Sequence, residues 1–266
     1  MSSAIVVRGG PNAETAIRFA KGLAGILAAC ALWELVRATG VIDARDLPGL
    51  GDIAVAMASG FAEGQLLPAL GATLWAWFLG LVCATVIGTA VGIALGLSRA
   101  ADVIVRPVIE FLRPIPSVAL IPVALVIMGL GLDLEIVLIA FASVWPVLFS
   151  VKTGVEDTDP RFLDTGRVLG LRRSETIGQI VLPNALPPLA TGVRTAAAIA
   201  LVLAITVELV AGQPGLGAYL SDHRIAGQAA DVWAAVFLSG FLGYAVNLAF
   251  LELEKRALKW SADQRA

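Results

Sequence analysis

An all-α, polytopic membrane protein with six transmembrane helices is the fold class this sequence predicts, and three observations carry it. Of 266 residues, 58% are hydrophobic and only 15% charged, where a soluble domain carries about a quarter charged. The apolar residues gather in long runs rather than short periodic stripes, and runs of about 18 or more read as spanning helices. The alternating ten-residue segments of a membrane barrel are absent, and hydrocarbon tolerates no unpaired backbone, which leaves helices. Residues 1–266 read as one transmembrane domain. The net charge of −2 points to no nucleic-acid partner. Cys30 and Cys83 fall inside apolar runs, as reduced packing residues do, and the lone His223 cannot build a metal site.

The first expected span covers residues 19–36. Its Leu27-Ala28-Ala29-Cys30 sequence has the look of a lipoprotein cleavage site, but the apolar stretch before the cysteine is short and the run continues past it. The second span, 68–97, carries Ala72, Ala76, Gly80, Ala84, Gly88, Gly92 and Gly96 at every fourth position. Small side chains on one helix face let two backbones approach closely in lipid. The third span, 107–132, contains Pro114, Pro116 and Pro122. Irregular backbone at membrane depth survives only under protein or beside a water-filled cavity, so this span is expected inside the bundle. The remaining spans are 134–151, 187–212 and 232–253.

Lys and Arg set orientation. The segments before the first span, after the second, between the fourth and fifth, and after the sixth hold 16 of the 19 basic residues; Arg37, Arg45 and Arg224 remain for the opposite side. Both termini are therefore expected in the cytoplasm of a bacterial inner-membrane protein.

The long loop 154–186 lies on that cytoplasmic side. Asp159 before Pro160 is a helix start, Phe162, Leu163, Val168 and Leu169 supply an apolar face, and Gly170 suits the left-handed end. A second short helix is expected from a Ser174 cap to Pro183. Two short basic amphipathic helices make a docking element; a pair lying on the bilayer and a DNA-binding helix-turn-helix are the other readings.

This loop resembles the EAA loop of binding-protein-dependent ATP-binding-cassette (ABC) permeases. That motif runs Glu-Ala-Ala, three residues, Gly, nine residues, Ile, any residue, Leu-Pro. Asp164, Thr165 and Gly166 stand at the first three places, and Gly170, Ile180, Leu182 and Pro183 at the others. Leu112-Arg113-Pro114-Ile115-Pro116, Glu208-Leu209 and Gly215-Leu216-Gly217 are similar to the sulfonate, taurine and nitrate branch. The resemblance implies the six-span type I importer fold. It also implies a second permease copy, here expected as a homodimer, a dimer of ATPase subunits and a substrate-binding protein, periplasmic or lipid-anchored. Phe162, Leu163, Asp164, Leu169, Gly170, Ile180, Leu182 and Pro183 become the ATPase-coupling residues. The expected cargo is a small anion such as a sulfonate, taurine or nitrate, with a vitamin precursor or other heterocycle as the alternative. The chain lacks a phosphate loop: the only Lys followed by Ser or Thr, Lys152-Thr153, is preceded by Val151. It is thus no enzyme and has no cofactor of its own; ATP and Mg belong to the partner.

An ATP-independent transporter leaves the docking loop unexplained, and a membrane enzyme needs clustered intramembrane acids, His or Cys. For the pathway, Pro116, Ser117 and Thr206 are the expected lining. Glu208 shares a helix side with Ala197, Ala204 and Ala211, so it is expected to face a close-packed helix. There it would hold an outer gate through the third span or the Gly215-Leu216-Gly217 loop.

Overall fold

The computed structural model describes residues 11–43 and 45–257; Arg8, Lys259 and Arg265, used above for orientation, lie outside the described residues. Every regular element described is helical: α1 (Pro11–Ala38), α2 (Leu50–Ala62), α3 (Leu66–Leu97), α4 (Arg99–Leu112), a 3₁₀ turn (Ser117–Leu120), α5 (Ile121–Met128), α6 (Leu132–Glu156), α7 (Pro160–Val168), α8 (Arg173–Thr176), a π turn (Ile177–Val181), α9 (Leu182–Ala211), α10 (Leu216–Ile225) and α11 (Ala229–Ala257). Among them α3, α6, the continuous stretch Arg173–Ala211 and α11 are long and apolar enough to cross a membrane, and α4 with α5 adds a fifth if the bent pair counts as one. α1 carries the first expected span and runs through Cys30 unbroken. Its Leu23, Ile26, Leu27, Leu32 and Leu35 are exposed, a face suited to lipid.

The centre of the bundle is α3 against α6, with α9 packed on both. The four-residue repeat of small residues makes this seam. Ala76 and Ala84 are buried. A Cβ on Gly88 would meet Val147 Cβ at 2.9 Å and the Val144 carbonyl at 3.0 Å, and one on Gly92 would lie 2.7 Å from the Leu148 carbonyl oxygen. The α9 face of the core is also small, with Ala196, Ala197, Ala200 and Ala204 fully buried. Gly192 lies against the Pro146 carbonyl and Ser150, and Gly154 of α6 against Pro188.

The bundle has two distinct ends. One, the loop end, gathers the last turns of α3 and α6, the start of α4, α7, α8 and the tail of α11. Ser98 caps α4 by accepting from Ala101 N at 3.2 Å. Lys152 donates to Asp102 at 2.6 Å, tying α4 to α6; Lys152 is thus part of α6 and not of the loop. Arg194 of α9 pairs with Glu254 of α11 at 3.1 Å. The far end gathers α2, α10 and the beginnings of α3, α6 and α11. There Trp33 donates to the Pro48 carbonyl at 3.1 Å and Trp233 to the Asp46 carbonyl at 2.9 Å, and the Glu34 carboxylate accepts from Leu50 N at 2.8 Å. α2 and α10 were both invisible to the hydropathy reading because neither is long enough to span.

Two expectations on the spans are corrected. The third is not one helix: α4 and α5 meet at 79° across the break that holds Pro114 and Pro116, where two missing amide donors and their ring clashes end the first helix. Within this chain one side of α5 is covered: Ile121 is buried, while Val123, Val126 and Ile127 are exposed at 55%, 88% and 76%. The second loop helix does not stop at Pro183 either. It begins after Arg172, whose amide donates to Glu175 Oε2 at 2.7 Å, rather than at Ser174. It then continues through the π turn into α9 as one 39-residue rod. The wider turn just ahead of Pro183 lets the helix pass a residue without an amide proton.

The seam predicts a contrast between two glycines of α3. Gly92→Leu forces a side chain onto a backbone carbonyl and should destabilise the detergent-solubilised protein by about 1–3 kcal/mol. Gly71, which has nothing within 4 Å of its Cβ position, should accept Ala with unchanged or slightly raised stability. Fluorescence-detected size-exclusion melts of the two variants check this; equal melts would remove the seam from its central role.

Candidate functional site

At the loop end, α7 begins where Asp159 accepts from Arg161 N at 2.8 Å with Pro160 in the first turn. It ends just before Gly170, whose φ of +70° is left-handed. The helix touches the rest of the chain along one edge only. Gly166 lies on that edge with Leu163: a Cβ on Gly166 would lie 3.1 Å from Ile180 Cδ1 and 3.5 Å from Leu171 Cδ1. The small third residue and the Ile of the motif therefore meet each other. Behind α7 an open groove of about 940 Å³ separates it from the ends of α3, α4 and α6.

The apolar residues of α7 divide between two faces. Phe162, Val168 and Leu169 are 54%, 88% and 70% exposed, while Leu163 is half-buried on the main core cluster. Leu163 thus turns inward, about 100° round the helix from Phe162, and Ile180 braces α7 instead of facing out. Leu182 is partly exposed on the rod and Pro183 half-buried. Asp164 is exposed and pairs with Arg167 at 2.9 Å. Val168 is also exposed, but about 120° round the helix from Phe162 on the side away from Leu163.

At the far end Glu208, in the last turns of α9, is fully buried. Its Oε2 accepts from Gly217 N at 2.8 Å and from Thr73 Oγ1 at 3.0 Å. The same Thr73 hydroxyl oxygen accepts from Leu216 N at 2.9 Å. One carboxylate and one hydroxyl thereby join α3, α9 and the first turn of α10. The Gly215-Leu216-Gly217 sequence follows from this contact. A Cβ on Gly215 would overlap the Glu208 carboxylate, and one on Gly217 would press on the Ile205 carbonyl and lie 2.6 Å from Leu209 N. Leu216 between them is fully buried with Leu66 and Tyr219. Tyr219 itself approaches Asp231 at 3.4 Å, and burial followed by the nearby Asp231 charge pushes its phenol up to about 12.

Glu208 faces a close-packed helix, with Ala197 and Ala204 on its side buried, and it reaches the glycine loop. Its helix partner is Thr73 of α3, the second expected span, and not the third. Thr73 escaped the sequence reading because a lone Thr in an apolar run carries no signal. Glu135, in the first turn of α6 and 3% exposed, escaped because it lies at a span boundary. The expected pathway residues lie at the 3₁₀ turn and on α9, which pack on each other. Pro116 is exposed and Ser117 half-buried at the start of the 3₁₀ turn that packs on α9. Half-buried Thr206 donates back to the Val202 carbonyl of its own helix at 2.6 Å.

Comparison with known proteins assigns this architecture. Residues 80–258 match the family described as binding-protein-dependent transport system inner membrane component. The chain is 27% identical over 240 residues to the putative aliphatic sulfonates transport permease protein SsuC of Bacillus subtilis, covering 90% of this chain and 87% of that one. It is 30% identical to the taurine transport system permease protein TauC of Escherichia coli (79% and 77% covered). It is also 30% identical to the bicarbonate transport system permease protein CmpB of Synechococcus elongatus (85% and 84%). The fold is similar to that of the MetNI methionine ABC transporter in an inward-facing conformation, with a TM-score of 0.64 at 21% identity over 72% of this chain and 95% of that one. A family match over residues 80–258 and relatives at 30% identity along most of their length show that the chain belongs to the family of binding-protein-dependent transport system inner membrane components: it is a multi-pass permease subunit of an ABC importer, a transport subunit rather than an enzyme.

Proposed function

We propose that this permease forms half of a symmetric pair that imports a small solute bearing an anionic group, driven by a partner ATPase that docks on α7. The observation that carries the reading is the exposure of Phe162, Val168 and Leu169 on a short helix held to its own bundle along one edge, with an open groove behind it. An isolated surface of that kind is an anchor awaiting a pocket. ATP and Mg belong to the docked subunit, and a binding protein delivers the solute at the far end. The cargo class is taken from relatives named for aliphatic sulfonates, taurine and bicarbonate.

The second permease copy is supported by α5. Its irregular neighbours, the break at residues 113–116 and the Gly129-Leu130-Gly131 turn, cannot face lipid with unpaired backbone groups. The uncovered side of α5 is therefore placed against a second copy or the water-filled path, with Pro116, Ser117 and the Thr206 side of α9 at its edge. Glu208 closes the far end by holding α10 to α3 and α9. The basic loop end is assigned to the cytoplasm together with both termini.

Three outcomes are expected. Val at Gly170 has a β-branched side chain at left-handed φ, a strain of at least about 1 kcal/mol. Together with Phe162→Ala and Leu169→Ala, it should weaken co-purification of the ATPase by about tenfold or more while leaving membrane insertion intact; undiminished assembly and uptake would remove α7 from the docking role. In a background lacking Cys30 and Cys83, a cysteine at position 170 should resist an impermeant reagent in intact cells and one at Arg45 should react, and the reverse pattern would invert the topology. Glu208→Ala should raise basal ATP hydrolysis in proteoliposomes with the range of transported solutes unchanged; an altered solute range would instead put Glu208 in the path.

A further inference from the structure

We propose that α4 is an interfacial helix that binds an anionic phospholipid, with the headgroup phosphate held in the groove between α4 and α7 and an acyl chain along the apolar stripe of α4. The site requires only the bilayer, whichever leaflet meets the loop end.

Contacts along α4 set its direction. Near its start Asp102 pairs with Lys152 of α6 at 2.6 Å. Two turns on, Ile109 packs in one cluster with Leu148 and Leu95. At the helix end the Arg113 guanidinium lies 4.8 Å from the centre of the Phe149 ring. From Asp102 to Arg113, about 16 Å of helix, α4 therefore stays beside residues 148–152 of α6, about 6 Å of it. It runs across the end of α6, at the depth of the last turns, before the 79° break turns the chain into α5.

Round its axis α4 presents three sectors. Ala101, Val105 and Ile109 pack on the bundle. Val103, Ile104, Val108 and Phe111 recur at helical spacing on a second side, and each is more than half exposed. Arg99, Arg106 and Arg113 return every seventh residue along a third edge, with Asp102 and Glu110 beside them; successive arginines are about 10 Å apart. A helix lying across a bundle end with an apolar side and a basic edge fits the boundary between acyl chains and headgroups. Arginine stems cover apolar surface there while their guanidinium groups reach the phosphate layer.

The groove of about 940 Å³ behind α7 opens on that basic edge. Its charged lining is Arg99 and Arg106 of α4, Arg167 and Arg173 of the docking loop, Asp102 and Glu156. Asp102 is taken by Lys152 and Arg106, and Glu156 lies 3.6 Å from the same Lys152. Arg167 pairs with exposed Asp164. Among the described residues Arg99 and Arg173 form no ion pair, which leaves two guanidinium groups for a phosphate, the anion whose oxygens match their paired N–H donors. Val103 belongs both to the groove and to the exposed stripe. Headgroup and acyl-chain sites are thus continuous, which suits a phospholipid rather than a free inorganic anion.

The test uses the permease with its ATPase in nanodiscs. In a background lacking Cys30 and Cys83, an environment-sensitive fluorophore is attached at Ile104→Cys. Its quenching by phosphatidylglycerol and by phosphatidylcholine, each spin-labelled in the upper acyl chain, is compared. The same label at Leu27→Cys, on the exposed face of α1, measures ordinary lipid contact. Both lipids should quench at Ile104→Cys, with phosphatidylglycerol favoured there by about tenfold over its standing at Leu27→Cys. Arg99→Gln with Arg173→Gln should remove most of that preference while quenching by phosphatidylcholine persists. Raised salt should lower the wild-type preference in the same way, which decides the matter if the double variant folds poorly. No quenching by either lipid would put protein on the stripe, the ATPase or a second copy, and overturn the proposal. Equal quenching by the two lipids, or a preference that salt leaves unchanged, overturns it as well.

Discussion

In a bilayer, helices gain nothing from leaving water, and their association rests on contact alone. For this chain that constraint resolves into one approach, α3 against α6, where backbone carbonyls of one helix lie where the side chains of the other would be. The small residues at every fourth position set the depth of contact and the relative register of the two helices. Register matters at both ends. Thr73 lies one turn before the seam and Glu135 one turn before its α6 side, while Asp102 and Lys152 meet where the seam ends. A shift of one residue along the seam would move each pair by about 1.5 Å, enough to break every polar contact that joins the seam to the functional ends.

The sequence was most informative where chemistry repeats. Span positions, the small-residue face of α3, the Asp159-Pro160 start and the left-handed Gly170 all follow from local rules that the membrane or the backbone enforces. The seven motif positions of the docking loop came instead from resemblance to a known loop, which no local rule of helix or membrane supplies. What the sequence concealed lies at places where a local rule gives two answers. Pro114 and Pro116 end a helix in one context and kink it in another, and the choice of a 79° break depends on neighbours. Pro183 stops most helices, but a π turn carried this one onward. Leu163 and Phe162 are adjacent apolar residues, and only the packing of Gly166 on Ile180 decides which of them faces out.

The glycine loop illustrates how one polar contact dictates its surroundings. Glu208 is buried without a cation, so its oxygen must be met by uncharged donors. The nearest are an α10 backbone amide and a hydroxyl on α3, and reaching them requires the chain at 215–217 to lie directly on the carboxylate and on the backbone of α9. Cβ atoms do not fit there. The acid and the two glycines are thus a single unit read three ways: as an intramembrane charge, as a turn and as a helix start.

The stretch Arg173–Ala211 is one rod of 39 residues, about 58 Å long at 1.5 Å per residue. Near the loop end it presses tightly on α6, where Gly154 receives Pro188 and Gly192 receives Ser150. A pivot at that point would divide the rod into two arms. The arm toward the docking loop is about 23 Å, and the arm to Glu208 about 30 Å. A pivot of about 5° would sweep the Glu208 end by nearly 3 Å, comparable to a whole hydrogen-bond length. Rigid-rod geometry of this kind would turn a small displacement at the base into a somewhat larger one at the tip, with no relay of side chains between them.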